Sequence, residues 1–110
     1  MAFDACGGAF NRIGAGQSAF VHRDALFLAQ YTATWDTGAP AEAAGRQQDW
    51  LRACYASMRP YASGQAYQNY VDPDLSTWRQ AYYGVNYPRL TQVKAAYDPD
   101  RLFRFPQAIG

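Results

Sequence analysis

Apolar and polar positions alternate between Ala25 and Trp35. Ala25, Phe27, Ala29, Tyr31, Ala33 and Trp35 fall on one face, and Leu26, Leu28, Gln30, Thr32 and Thr34 on the other. A period of two predicts a long strand whose aromatic face packs against another layer. The opposite face, with Gln30 and two threonines, is polar enough to line a wet or functional space. Asp36 to Pro40 breaks the strand. From Ala41 to Arg59 the period becomes helical: Trp50, Cys54 and Met58 recur at four, with Leu51 and Tyr55 beside them. Pro60 cannot continue that helix, and Ser63 and Gly64 complete the turn. Ala66 to Val71 reads as a short strand. Asp72 then caps a helix opened by Pro73, with Leu75, Trp78 and Tyr82 on one face and Gly84 as its stop. Asn86 and Pro88 start a further helix, with Leu90, Val93 and Tyr97 on one side, which ends at Asp98-Pro99. The tail from Leu102 to Pro106 is apolar at alternate places, which predicts that it lies across a neighbouring surface.

Strands followed by helices without regular alternation predict an α+β fold: a small, mainly antiparallel sheet with helices on one face. An isolated sheet of two or three strands is marginal, so more strands are expected beside it. The chain has 110 residues, enough for one core, and its nine Tyr, six Phe and three Trp can fill it. Ten Lys and Arg against nine Asp and Glu, with no basic block, argue against nucleic acid or an anionic membrane as partner. No apolar run approaches the ~20 residues that cross a bilayer. The opening residues do not read as a secretory signal, and no compartment is implied. Cys6 and Cys54 lack the spacing of a zinc site and read as ordinary thiols; no metal centre is expected. His22, Arg23 and Asp24 stand together, but no second His or nucleophile motif accompanies them, so His22 reads as structural. Arg89 and Lys94 read as partners in helix and turn ion pairs.

The segment Ala66 to Leu75, Ala-Tyr-Gln-Asn-Tyr-Val-Asp-Pro-Asp-Leu, resembles the tyrosine–any–asparagine segment that opens the C-terminal module of berberine-bridge-type oxidases. Three further pieces follow in the family's order. Trp78 to Gly84 is similar to its tryptophan-to-tyrosine-glycine stretch. Asn86 to Leu90, with Val93 and Lys94, resembles its arginine–leucine and valine–lysine helix. Tyr97 to Arg104 resembles its closing signature. Upstream, Gly7 to Ala9 and Ala19 to Arg23 are similar to the close of the family's substrate domain. The resemblance implies residues 1–40 as the end of that domain's sheet and 41–110 as the berberine-bridge-type module. It also implies a chain too short to be the whole enzyme, and inactive alone.

That resemblance further implies FAD, held mainly by an N-terminal portion absent from this chain, and a small-molecule substrate. The implied reaction removes hydride from a carbon bearing a hydroxyl or amine, and this chain supplies one wall of the active site. It places a catalytic tyrosine or a substrate-binding asparagine at Tyr70 and Asn69. In a strand these two face opposite sides, Tyr70 with Gln68 and Ala66, Asn69 with Tyr67 and Val71. Tyr70 and Gln30 are the expected catalytic residues, Asn69 and Tyr67 the expected cofactor-binding ones. Tyr67 fits a core position better than a flavin contact, and Gln30 equally fits a residue satisfying backbone groups. Two positions before Gln30 stands Leu28, where some relatives carry lysine; a cation that could lower a tyrosine's pKa is therefore missing. The alternative is a stand-alone remnant acting as a binding or dimerisation module, closed by self-association. Free flavin is expected to bind this chain weakly or not at all, because no glycine-rich turn opens a helix to receive its pyrophosphate.

Overall fold

Strand β1 (Ala2–Ala5) pairs antiparallel with β2 (Phe27–Gln30), with Ala2 opposite Gln30 and Ala5 opposite Phe27. The structure is a computed structural model and describes residues 1–110. The strand expected over Ala25–Trp35 is thus realised over four residues only. The ladder pairs Ala2 to Ala5 with Phe27 to Gln30, and Thr32 to Trp35 lie outside it. Helix α1 (Ala41–Met58) follows, one residue short of its expected end, and passes into a 3₁₀ turn through Pro60. Residues Met1–Ala5 and Leu26–Gly64 make one unit, Cys6–Ala25 and Gln65–Gly110 another.

In the first unit the aromatic face is covered at one point. The ring of Tyr31 meets that of Tyr55 on α1 edge-on at 6.1 Å. Phe27 and Trp35, expected beneath the helix, are 62% and 48% exposed. One helix over a two-stranded ribbon cannot close a core, and α1 buries no residue completely.

The second unit has the core. Leu75, Trp78, Ala81 and Tyr82 are buried together, with Ala66, Tyr83 and Tyr87 packed against them. Helix α2 (Trp78–Tyr83) starts later than the Asp72 cap predicts. Asp72 Oδ1 accepts the Asp74 N–H at 2.9 Å and its carbonyl accepts that of Leu75 at 3.1 Å. Asp72 therefore closes a local turn, the competition with helix that short polar side chains offer.

Gly84 ends α2 at φ 48°, ψ −128°, where a Cβ would also stand 3.3 Å from Cγ2 of Val21. Gly84→Ala is expected to cost about 1–3 kcal/mol through backbone strain. The check is a lower urea midpoint at unchanged slope.

Helix α3 (Tyr87–Tyr97) starts and ends where Pro88 and Asp98 predict, yet it buries nothing fully; Val93 and Tyr97 are exposed. Buried Asn86, just before it, donates to the carbonyls of Ala15 (2.7 Å) and Ser18 (3.0 Å), pinning the 14–18 loop. After α3, Lys94 pairs with Asp98 and donates to the Phe103 carbonyl at 2.6 Å. Asp98 also accepts the Leu102 (2.7 Å) and Phe103 (3.1 Å) amides. The tail is held by these polar bonds, while Leu102, Phe103 and Phe105 remain exposed. The class is α+β, as expected, with a small antiparallel sheet and helices.

The Lys94 ammonium, with the two amides behind it, holds the Asp98 carboxyl below its usual range against the opposing loss of hydration. A carboxyl depressed on folding contributes stability above its unfolded pKa and loses it as pH falls through the folded one. Asp98→Asn is expected to flatten the acid limb of the stability curve, measured by denaturant midpoint against pH.

Candidate functional site

The segment Ala66–Val71 is a turn, not the expected strand. The Tyr70 N–H donates to the Tyr67 carbonyl at 3.0 Å, and the Ala66 N–H donates to Ala81 on α2 at 2.9 Å. No neighbouring strand is available to pair with it, so the backbone satisfies itself locally. The opposite-faces geometry of Tyr70 and Asn69 is corrected accordingly. A turn of this kind places its first and fourth residues side by side. The Tyr67 and Tyr70 rings meet edge-to-face at 5.5 Å. Asn69 Nδ2 donates to the Tyr67 hydroxyl at 2.9 Å. Three of the expected site residues are thus brought into one cluster. Gln30, the fourth, ends β2 in the other unit, half-buried and paired with Ala2.

Tyr67 is half-buried against an aromatic stack: its ring meets Phe20 at 5.9 Å, and Phe20 meets Phe10 at 5.0 Å and His22 at 5.1 Å. The Arg23 guanidinium lies 4.7 Å from the Phe20 centroid, donates to the Phe10 carbonyl (3.1 Å) and reaches Ser18 Oγ (2.8 Å). Tyr70 lies outside the stack and is 55% exposed. One tyrosine is therefore braced, and the other is open to a small molecule.

The neighbouring ionisable groups have structural duties. His22 is buried, with Nδ1 2.9 Å from Gln65 Oε1. It sits in packing, as its sequence context predicts. Burial, with Tyr82 and Tyr87 close by, pushes the Tyr83 phenol up. The Asn69 bond occupies an acceptor site on the Tyr67 hydroxyl oxygen and leaves the hydroxyl proton free to be donated.

Gly14 and Gly16 do not form a phosphate cradle. The Gly14 N–H is taken by Gln17 Oε1 at 2.9 Å and the Gln17 N–H by the Gly14 carbonyl at 3.0 Å. The polar groups gathered at the 67–70 turn are two tyrosine hydroxyls and the Asn69 amide. Sequence reasoning passed over Gln107, which is buried and whose Nε2 donates to the Asp72 carbonyl at 2.7 Å. A lone amide in an aperiodic tail gives no signal. No helix is long and apolar enough to cross a membrane.

Residues 66–110 match the family model for berberine and berberine-like proteins. The FAD-linked oxidoreductase YvdP of Bacillus subtilis is 36% identical over 103 residues, 94% of this chain and 22% of that protein. Monolignol oxidoreductase AtBBE-like 13 of Arabidopsis thaliana is 34% identical over 116 residues, 94% of this chain and 21% of that one. Physcomitrella patens BBE-like 1 superposes with a TM-score of 0.80 at 34% identity, over 98% of this chain and 23% of its own. Berberine bridge enzyme has a TM-score of 0.81 at 24% identity, a likeness of fold. The chain spans about a fifth of the length of the curated relatives it matches. It belongs to the berberine-bridge-like FAD-linked oxidoreductases and corresponds to their C-terminal region.

Proposed function

We propose that this chain supplies one wall of the active site of an FAD-dependent oxidoreductase that oxidises a small molecule at a carbon bearing a hydroxyl or amine. The observation that carries this reading is the 67–70 turn, where an open tyrosine, a braced tyrosine and an amide converge. When bound, FAD supplies the two-electron acceptor for hydride. The residues of this chain handle the proton and the orientation. Tyr70 takes the hydroxyl or amine proton as the carbon loses hydride. Asn69 and Tyr67 present polar groups to the flavin ring or the substrate, and Gln30 contributes a polar side chain from β2.

The bond from Asn69 to the Tyr67 hydroxyl favours a second assignment within the same reaction. That bond fixes the Tyr67 hydroxyl in place, and in this assignment Tyr67 holds the proton-accepting role while Tyr70 contacts the substrate.

The flavin is held mainly by an N-terminal portion outside these residues, and that portion covers the exposed Phe27 and Trp35. The complete protein is expected to be isolated yellow, and its visible absorption should bleach when an alcohol or amine substrate is added without oxygen. A colourless complete protein would overturn the reading. It would leave a binding module closed by a second copy, visible as a dimer of the 110-residue chain by light scattering.

A further inference from the structure

Gln107 sits at 6% exposure in the C-terminal tail. A turn closed by the Ala108 N–H on the Phe105 carbonyl, at 2.9 Å, carries it inward. Its Nε2 donates to the Asp72 carbonyl at 2.7 Å, a contact 35 residues apart in sequence, and its Oε1 is enclosed without a partner. Unpaired buried acceptors are rare and costly, so the amide's orientation is dictated by the single bond it makes. Turned over, its oxygen would face the Asp72 carbonyl oxygen, lone pair against lone pair. The other side of the same residue is also held. The Asp72 N–H donates to the Tyr82 hydroxyl at 2.8 Å, and Tyr82 is 1% exposed. At the near end, the Ala66 N–H is bonded to Ala81. The backbone carrying Tyr67, Asn69 and Tyr70 is thus slung between two anchors, and Asp72, two residues past Tyr70, is the far one.

We propose that Gln107 is a positioning residue: its bond to Asp72, acting with Tyr82, sets the Tyr67–Tyr70 turn in its reacting geometry. This rests on the reading of that turn as the reacting wall. The Asp72 N–H is held by Tyr82, and its carbonyl by Gln107 together with the Leu75 N–H at 3.1 Å, so both peptide groups flanking the Asp72 Cα are fixed. Removing the Gln107 donor leaves the carbonyl with the Leu75 bond alone and loosens the far anchor of the turn that carries both tyrosines. Displacements of ~1 Å at reacting groups can cost about 10²-fold in rate.

Gln107→Glu tests this, because it keeps the side-chain volume and removes the donor; Gln107→Ala serves as the second variant. The first readout needs no flavin. In the full chain, the amides of Tyr70 and Asp72 should lose about tenfold in exchange protection, the scale of one lost hydrogen bond. The ring-shifted signals of Tyr67 and Tyr70 should move towards free-tyrosine positions, while the amides of α3 keep their protection. As pH falls through the new carboxyl, ordinarily near about 4.3 and raised by burial, the acid regains a donor. Protection, corrected for intrinsic exchange, should then return in Gln107→Glu and not in Gln107→Ala. In the complete flavoprotein, kcat should fall about 10- to 100-fold with KM little changed. Unchanged protection at Tyr70 and Asp72 overturns the proposal, and so does a loss that spreads through α3, which would make Gln107 a general stability residue. Turnover that survives Gln107→Glu while Tyr70→Phe or Tyr67→Phe abolishes it also overturns the proposal. If both tyrosine variants spare turnover, the reading of the wall falls, and the exchange data alone decide the positioning role.

Discussion

Tyr70→Phe, made in the complete flavoprotein, is expected to slow flavin reduction by ~10²–10⁴-fold with little change in substrate affinity, the range of general-base assistance. That corresponds to about 3–5 kcal/mol of barrier. A tyrosine with only a structural hydrogen bond would instead cost roughly 1 kcal/mol of stability and leave turnover largely intact. Tyr70 is more than half exposed, so stability should barely move. Gln30→Ala should give a milder loss, since an amide can orient a base without carrying the proton away. The measurement is stopped-flow flavin reduction without oxygen. If Tyr70→Phe stays within about threefold of the parent, a change too small for lost base assistance, and Tyr67→Phe shows the large loss, the base is the tyrosine that Asn69 braces.

Trp78→Ala is expected to cost about 3–5 kcal/mol, the range for deleting a large buried aromatic. Trp78 is the hub of the second unit, with ring contacts to Tyr82 (6.5 Å), Tyr83 (6.4 Å) and Tyr87 (6.0 Å). The Arg79 guanidinium lies 4.5 Å from its centroid. Removing it vacates the junction of α2 and α3, and nothing nearby is large enough to refill it. A small domain has about 5–15 kcal/mol in total, so this one change takes a large share. Denaturant unfolding followed by near-ultraviolet dichroism reports it. A loss under about 1 kcal/mol, well below what a cavity of this size costs, would mean that the core does not centre on Trp78.

The parts of the fold legible in the sequence are those governed by short-range pattern. Helix α1 was expected over 41–59 and runs over 41–58, because its four-residue recurrence and Pro60 are local signals. Leu75, Trp78 and Tyr82 were read as one face and are buried together. Gly84 and Pro88 mark their boundaries by backbone chemistry alone. What alternation could not supply was the partner strand. The Ala25–Trp35 pattern is strand-like throughout, but only four residues meet β1. Ala66–Val71 also reads as a strand and becomes a turn, since its amides find α2 and their own carbonyls instead. The site was legible as residue types, Tyr67, Asn69 and Tyr70, and illegible as geometry. Their convergence depends on that turn. Gln107 carried no periodic mark at all.

The second unit is assembled from two stretches, 6–25 and 65–110, and its closing contact joins His22 to Gln65 across 43 residues. This arrangement sets an order of events in folding. The α2–α3 hairpin is local and can form early, whereas the strap from Cys6 to Ala25 must wait for closure of the intervening loop. That closure carries an entropy cost on the order of 3 kcal/mol by the logarithmic length rule. Contacts of the strap, such as Asn86 to Ala15, are expected to form late, so that their loss mainly speeds unfolding. They govern how long the native state lasts, while the aromatic hub at Trp78 governs how fast it is reached.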